Sequence, residues 1–235
     1  MRLAAAVAVA LPGLAGVAAS ADPKSDPKPD STGCAKNVAK ACLDTGIAYI
    51  KGSGGVIKDE AKAFSFYVKA CDLKSALGCG YAGTLAILGK GTAKDPAKGR
   101  TLREKACQLK DGASCNDLGT AWADGADGIG KADLAKAKGY FDEACKLNEP
   151  LGCFNLGNAF RLGEGVPADA KRAAQLYEKS CSLKEAKGCS ELAIAYYEGK
   201  GVAQDANKAV ELLEKACGMQ SQVACKNLEL VRPKK

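Results

Sequence analysis

Residues 189–217, CSELAIAYYEGKGVAQDANKAVELLEKAC, contain one full unit of a repeat that runs through most of the chain. Twelve cysteines form pairs whose members lie eight residues apart, and the pairs recur every 36 to 38 residues. The pairs are Cys34/Cys42, Cys71/Cys79, Cys107/Cys115, Cys145/Cys153, Cys181/Cys189 and Cys217/Cys225. A fixed period of this length is typical of a solenoid, in which each repeat buries its apolar face against its neighbours.

Each repeat predicts two helices joined by a glycine-rich turn. In the quoted unit, Leu192 and Tyr196 follow the first cysteine by three and seven residues, which places them on one helical face. Gly199 and Gly201 end that helix, because positive φ angles cost glycine little. The second helix begins at Asp205 and closes on the next cysteine. The sequence therefore predicts an all-α, right-handed solenoid of five helix pairs with a short cap at each end, over residues 34–230.

The composition agrees with closely packed helices. Of the 235 residues, 47% are hydrophobic but only 6% are aromatic, and alanine is abundant. Small side chains allow helix axes to approach one another. In a solenoid, stability then accumulates repeat by repeat.

Both ends of the chain differ from the repeats. Residues 1–21 combine an arginine, an apolar run and Ala19-Ser20-Ala21, which predicts a signal peptide cleaved before Asp22. An uncleaved membrane anchor is the alternative, although a proline and two glycines interrupt the run. Residues 22–33 are rich in proline and charge and predict a disordered tether, and residues 231–235 predict a tail. We expect a periplasmic or secreted protein that makes no stable membrane insertion after cleavage.

Export would place the cysteines in an oxidising compartment, where disulfides persist. Two residues eight apart on one helix lie about 12 Å apart, beyond the roughly 7 Å that a disulfide spans between Cα atoms. A bridge within a pair therefore needs a turn between its members. Lys110-Asp111-Gly112 and Asn148-Glu149-Pro150 supply helix-stop and helix-start signals at such places.

Two other uses of the cysteines are weaker. A redox site calls for a Cys-x-x-Cys motif or an exposed thiol of low pKa, and the sequence has no such motif. Structural zinc sites favour two to four residues between paired ligands, whereas these pairs have seven. We therefore expect structural disulfides, no metal and no cofactor.

One pattern in the quoted unit carries a family resemblance. Its residues are Leu192, Tyr196, Gly199, Gly201, Val202, Asp205, Lys208, Ala209, Leu213, Lys215 and Ala216. The pattern resembles the Sel1-like repeat, a relative of the tetratricopeptide repeat. With a cysteine pair in every unit, residues 34–230 are similar to the Helicobacter cysteine-rich protein family. Two repeats depart from the pattern, since one has Ala82 and Ala86 at large positions and another has a longer loop from Asp124 to Lys131.

The resemblance implies a scaffold whose first helices line a concave face that binds a protein or peptide. Asn158 and Arg161 could then bond a peptide backbone or carboxylate, and Phe154 and Tyr197 could make apolar or stacking contacts. The residues expected to line the face are Asn116, Thr120, Phe154, Asn158, Arg161, Ser190, Ile194 and Tyr197. The alternative is that these are ordinary exposed side chains of a helical surface.

The resemblance also implies an alternative activity, since some members of the cysteine-rich family are described as penicillin-binding proteins with weak β-lactamase activity. The chain has no histidine, which excludes Ser-His-Asp and Cys-His catalysis. Ser25-Asp-Pro-Lys28 matches Ser-x-x-Lys and Ser114-Cys115-Asn116 matches Ser-x-Asn, but Lys-Thr-Gly does not occur. We therefore expect no catalytic residue and keep the weak hydrolase as the alternative.

The net charge of +7 does not by itself indicate nucleic acid. The lysines lie mainly in loops and second helices beside Asp and Glu, which is typical of a solvated face. We expect a monomer with a protein or peptide partner and no nucleic acid. An assembly factor of an oxidising organelle space would share this fold but should lack a bacterial-type export signal.

Overall fold

The computed structural model describes residues 29–231, and within this range the regular structure is entirely helical. The expected signal peptide, most of the expected tether and nearly all of the expected tail lie outside the described residues. The helices form five consecutive pairs with a short helix at each end. This arrangement confirms the all-α solenoid.

All ten helices of the five pairs have 13 residues. In chain order the helices are α1 (Ser31–Ala35), α2 (Ala39–Lys51), α3 (Glu60–Asp72), α4 (Ala76–Leu88), α5 (Pro96–Gln108), α6 (Gly112–Asp124), α7 (Leu134–Lys146), α8 (Pro150–Leu162), α9 (Ala170–Ser182), α10 (Ala186–Glu198), α11 (Ala206–Gly218) and α12 (Gln222–Val231). The even-numbered helices from α2 to α10 are the first helices of the pairs, and α3 to α11 are the second helices.

The expected tether and the first helix overlap. Helix α1 begins at Ser31, inside the segment that the sequence suggested as a disordered tether. The Asp30 carboxylate accepts a hydrogen bond from the Gly33 N–H at 2.7 Å, and the Asp30 N–H donates to Thr45 Oγ1 at 3.0 Å. These two bonds hold the start of α1 against α2, so the ordered part of the chain begins earlier than its composition indicated.

An aspartate caps the N-terminus of the second helix in each of the five pairs. Its carboxylate accepts a hydrogen bond from the backbone N–H three residues further on, at 2.9 to 3.0 Å. The five residues are Asp59, Asp95, Asp133, Asp169 and Asp205. Such a cap satisfies an N–H that the helix itself leaves free and contributes about 1 kcal/mol.

Six disulfides join the two members of each cysteine pair, with Cα–Cα distances of 4.4 to 4.8 Å. Except for the first bridge, which joins α1 to α2, each connects the end of a second helix to the helix that follows. The turns between the paired cysteines contain a non-glycine residue at positive φ, such as Lys110 or Asn148. Closing a loop of this length stabilises the fold by roughly 2 to 3 kcal/mol per bridge in the chain-entropy model.

The cysteines near the start of the first helices are fully buried. Cys42, Cys79 and Cys189 are each 0% exposed, and their sulfurs lie 3.7 Å from the backbone carbonyl oxygens of the cysteines to which they are bonded. Cys115 and Cys153 are buried to the same degree. The sequence predicts structural disulfides here, and in the structure these cysteines belong to the core. Their role is to join helices, because no ligand can reach them.

The core of each pair sets a small residue of the first helix against a large residue of the second. A Cβ atom on Gly46, Gly119 or Gly157 would overlap the ring of Tyr67, Phe141 or Tyr177 respectively. Each of these glycines lies four residues after the cysteine of its first helix. The helix backbones can approach closely here because no side chain separates them.

The first helices form the inner layer of the stack. Helix α8 contacts both α6 and α10 in addition to its neighbours α7 and α9. The second helices pack on the first helix of their own repeat and on that of the next. Because first helices approach one another directly, they lie on the concave side.

The second glycine of the Gly-x-Gly turn joins neighbouring repeats. Gly201 has a φ of +77°, and a Cβ atom on it would overlap the backbone carbonyl of Ala170 at the start of α9. Glycine is therefore required twice over, for its backbone conformation and for the close approach of the preceding repeat.

We predict that Gly201→Ala lowers the free energy of unfolding by at least about 2 kcal/mol, because it adds both backbone strain and an overlap with the carbonyl of Ala170. The matched control is Gly139→Ala in α7, where an added Cβ meets no atom within 4 Å. This control should stabilise the protein by roughly 0.5 to 1 kcal/mol. Urea unfolding followed by circular dichroism measures both, and equal effects would contradict the prediction.

Candidate functional site

The first helices and α12 present one face away from the second helices. Four positions of each first helix lie opposite its cysteine: the residue two before it and the residues two, five and nine after it. The residue eight after it lies beside them, near the end of the helix. We call this surface the inner face. Its main residues are Leu77, Tyr81, Leu88, Asp117, Thr120, Asn155, Asn158, Arg161, Leu162, Lys187, Glu191, Ile194, Tyr197, Val223 and Leu230.

The disulfides contribute no group to the inner face. Cys79, Cys153 and Cys189 lie on the side of their helices that packs against the preceding second helix, where they are bonded to Cys71, Cys145 and Cys181 respectively. These cysteines therefore fix the position of the first helices but cannot contact a partner on this surface.

Exposed apolar side chains concentrate on the inner face. Among the described residues ten large apolar side chains are exposed, and seven of them belong to this surface. The seven are Leu77, Leu88, Leu162, Ile194, Tyr197, Val223 and Leu230. Isolated exposed apolar side chains are common on protein surfaces. The concentration of seven of them on one face between α4 and α12 indicates a surface that can bind a partner.

The middle of the inner face is organised around Tyr177 of α9. Its hydroxyl donates to Asn158 Oδ1 at 2.7 Å and accepts from Arg161 Nε at 3.1 Å. Its ring lies 6.1 Å from the ring of Phe154, centroid to centroid. Burial raises the pKa of Tyr177 to about 12, so the hydroxyl stays protonated at neutral pH. The side chain reaches the inner face from the second layer by passing Gly157.

The structure thus brings three of the expected residues, Phe154, Asn158 and Arg161, to one place. It adds Tyr177 and also Glu191, whose Oε2 lies 3.8 Å from Arg161 Nε. The signal for Tyr177 in the sequence was a ring facing a glycine across the pair. Because that pattern is equally typical of a core residue, it did not indicate that the buried hydroxyl bonds Asn158 and Arg161.

The other expected residues differ in exposure. Ile194 and Tyr197 are exposed, and Thr120 is half-buried with its hydroxyl donating to the Asn116 carbonyl at 3.2 Å. Asn116 and Ser190 are buried between neighbouring repeats, at 8% and 9% exposure. Ser190 Oγ donates to the Ala186 carbonyl at 2.9 Å, and Asn116 Oδ1 accepts from Asn155 Nδ2 at 2.8 Å. Protein groups therefore satisfy these two side chains.

The serine of the Ser-x-Asn match is also buried. Ser114 is 4% exposed, and its hydroxyl donates to the carboxylate of Asp111, the residue that caps α6. Ser25 and Lys28 lie outside the described residues.

A half-buried ion network lies under the inner face between α4 and α6. Arg103 of α5 occupies the position at which other repeats have Tyr67, Phe141, Tyr177 or Leu213, four residues before the cysteine. Its guanidinium lies 3.2 Å from Asp117 Oδ2 and 3.0 Å from Asp127 Oδ2. Asp127 belongs to the longer loop, and its carbonyl also accepts from Arg100 Nη1 at 2.9 Å. The network therefore holds this loop against the preceding repeat.

We predict that Arg103→Ala lowers the free energy of unfolding by roughly 1.5 to 3 kcal/mol at pH 7, because it leaves two half-buried carboxylates without their cation. Burial already raises the pKa of Asp117, and Arg103 acts in the opposite direction. In the variant this pKa rises further, so protonation of Asp117 stabilises the folded state as the pH falls. The loss should therefore be smaller at pH 4.5 than at pH 7.

The control for Arg103→Ala is Lys105→Ala on the same helix. The Lys105 ammonium lies 3.6 Å from Asp72, and both side chains are largely solvated. An exposed pair of this kind contributes less than about 1 kcal/mol. Thermal unfolding at both pH values measures the two variants, and a pH-independent loss in Arg103→Ala would contradict the assignment of Asp117.

Within residues 29–231, no helix has the length and apolar character that crossing a membrane requires.

The fold and the inner face define an α-solenoid of helix-pair repeats. The chain belongs to the Sel1 repeat family, since the model of that repeat matches residues 39–75, 81–111, 112–149, 150–184 and 186–221. This finding confirms the resemblance that the quoted unit carries.

Solved structures include similar proteins. The Sel1 repeat protein from Oxalobacter formigenes is 28% identical, with a TM-score of 0.78 over 85% of this chain and 80% of that one. Cysteine-rich protein B of Helicobacter pylori is 35% identical over 57% of this chain and 96% of that one, with a TM-score of 0.48.

One curated relative matches a shorter segment. Cytochrome c oxidase assembly factor 7A of Xenopus laevis is 38% identical over 60 residues. The chain spans about a quarter of the length of that relative, 26%.

Proposed function

We propose that the protein is an exported scaffold that binds a protein or peptide segment on its inner face. The observation that carries the proposal is the concentration of exposed apolar side chains on that face, with Ile194 and Tyr197 at 37% and 51% exposure. Sel1 repeats generally serve as protein-interaction modules, and the cluster of Tyr177, Asn158 and Arg161 supplies fixed polar groups beside the apolar ones.

The cysteines support an oxidising location for this role. All twelve lie in bridges, and ten are buried. Disulfides persist outside reducing compartments. Together with the expected signal peptide at residues 1–21, the disulfides favour a location in the periplasm or outside the cell. The protein acts there as a monomer.

Photo-crosslinking tests the binding face. With p-benzoylphenylalanine at Ile194, irradiation of cells that export the protein should give discrete crosslinked species containing a second protein. The matched control is the same residue at Gln175, which is exposed on α9 in the outer layer. The control should give no such species, because the partner contacts only the inner face. Crosslinks of equal yield and identity from both positions would contradict the proposed face.

Mass spectrometry of the exported protein without reductant tests the location and the alternative activity. We expect a chain that begins at Asp22, with two hydrogens lost for each of six bridges and no adduct after incubation with a penicillin. A retained N-terminal segment or free thiols would contradict export into an oxidising compartment. A stoichiometric adduct on one serine would favour the penicillin-binding alternative over the scaffold.

A further inference from the structure

The inner layer is acidic although the chain as a whole has a net charge of +7. Helices α6, α8 and α10 with their N-cap residues carry seven carboxylates and two basic side chains. The second helices of the same pairs, α7, α9 and α11, carry with their N-cap residues eight basic and eight acidic side chains. The seven inner carboxylates are Asp111, Asp117, Asp124, Glu149, Glu185, Glu191 and Glu198. The excess of negative charge in these three pairs therefore lies in the inner layer.

The inner carboxylates act on one another across repeats. Burial raises the pKa of Glu149, and the neighbouring charges of Asp111, Asp117 and Glu185 raise it further. Burial likewise raises the pKa of Glu191, with Glu198 adding to the effect and Arg161 opposing it. Because these groups come from three successive first helices, the repulsion extends along the stack.

Few cations of the chain itself offset this charge. Arg161 lies near Glu191, and Arg103 approaches Asp117 from the second layer. The Lys200 ammonium lies 2.8 Å from Glu198. Glu149 makes no ion pair with any residue in the described part of the chain, 29–231. A cationic group from outside would therefore relieve repulsion that the protein leaves in place.

Apolar side chains stand beside these carboxylates. Ile194 follows Glu191 by three residues, so the two are neighbours on the surface of α10. Glu198 follows Ile194 by four residues, so Ile194 lies between two carboxylates on α10, and Leu162 is exposed on the neighbouring helix α8. A lysine or arginine side chain fits such a surface, because its aliphatic stem packs on apolar groups while its charged end reaches a carboxylate.

We propose that the inner face of α6, α8 and α10 binds a peptide segment that carries lysine or arginine next to apolar side chains. This inference rests on the proposed function, since it names the chemistry of the partner for the same face. Electrostatic complementarity sets the choice of partner, and burial of the apolar side chains supplies affinity.

Fluorescence anisotropy with labelled peptides tests the inference on the full-length oxidised protein. The probes are peptides of equal length that repeat Lys-Leu, Ser-Leu, Glu-Leu or Lys-Ser. We expect Lys-Leu to bind at least about tenfold more tightly than each of the others, with an affinity that falls as salt is added.

Two double variants separate local charge from total charge. Glu191→Gln/Glu198→Gln, two positions of the inner face on α10, should weaken Lys-Leu binding about tenfold and leave Ser-Leu binding unchanged. Glu178→Gln/Glu211→Gln, at exposed positions of α9 and α11, makes the same change in net charge and should leave both unchanged. Melting curves of the oxidised variants that match the parent protein establish that each one folds.

Other outcomes would overturn one or both proposals. If Lys-Leu and Ser-Leu bind with equal affinity and Ile194→Ser abolishes both, the proposal of a basic partner is wrong. The proposal of an apolar binding face is then retained. Equal affinities for Lys-Leu and Lys-Ser would contradict the claim that the partner needs apolar side chains next to its basic ones. Binding that Ile194→Ser and the Glu191/Glu198 variant both leave unchanged would overturn the inner face as the site, and with it both proposals.

Discussion

The disulfide between successive repeats is the constraint on which the rest of the structure depends. Each full repeat is a pair of 13-residue helices with a core of small residues, and such a pair buries little apolar surface by itself. The bridge fixes the last turn of a second helix to the first turn of the helix that follows. It does so across a tight turn, as between Cys145 and Cys153. The stacking angle, and therefore the shape of the inner face, follows from this connection.

A single position in the repeat sets the chemistry beneath the inner face. Four residues before the cysteine, the second helix sends a side chain past the small residue of its partner toward the inner layer. In one repeat this side chain is Tyr177, which orients Asn158 and Arg161. In another it is Arg103, which holds two carboxylates. The same backbone can thus present different polar groups along the stack without altering the helix packing.

The sequence predicted the periodic features because each depends on local rules. Helix faces, Gly-x-Gly turns and aspartate caps follow from residues within one repeat. The inner face was harder to predict because it depends on how repeats approach one another. Asn116 and Ser190 are buried since the flank of a first helix lies against the next first helix. Tyr177 was missed for the complementary reason, since packing across the pair brings its buried hydroxyl to Asn158 and Arg161.

The small residue four places after the cysteine also bears on how the stack ends. Glycine or alanine holds this position in α2 to α10, where a second helix covers it, but α12 has the exposed carboxylate of Glu229 there. A helix donated by another molecule could not pack on α12 in the manner of a second helix without desolvating that charge. The charge of Glu229 therefore disfavours the end-to-end association of copies into filaments, which solenoid proteins in general must avoid.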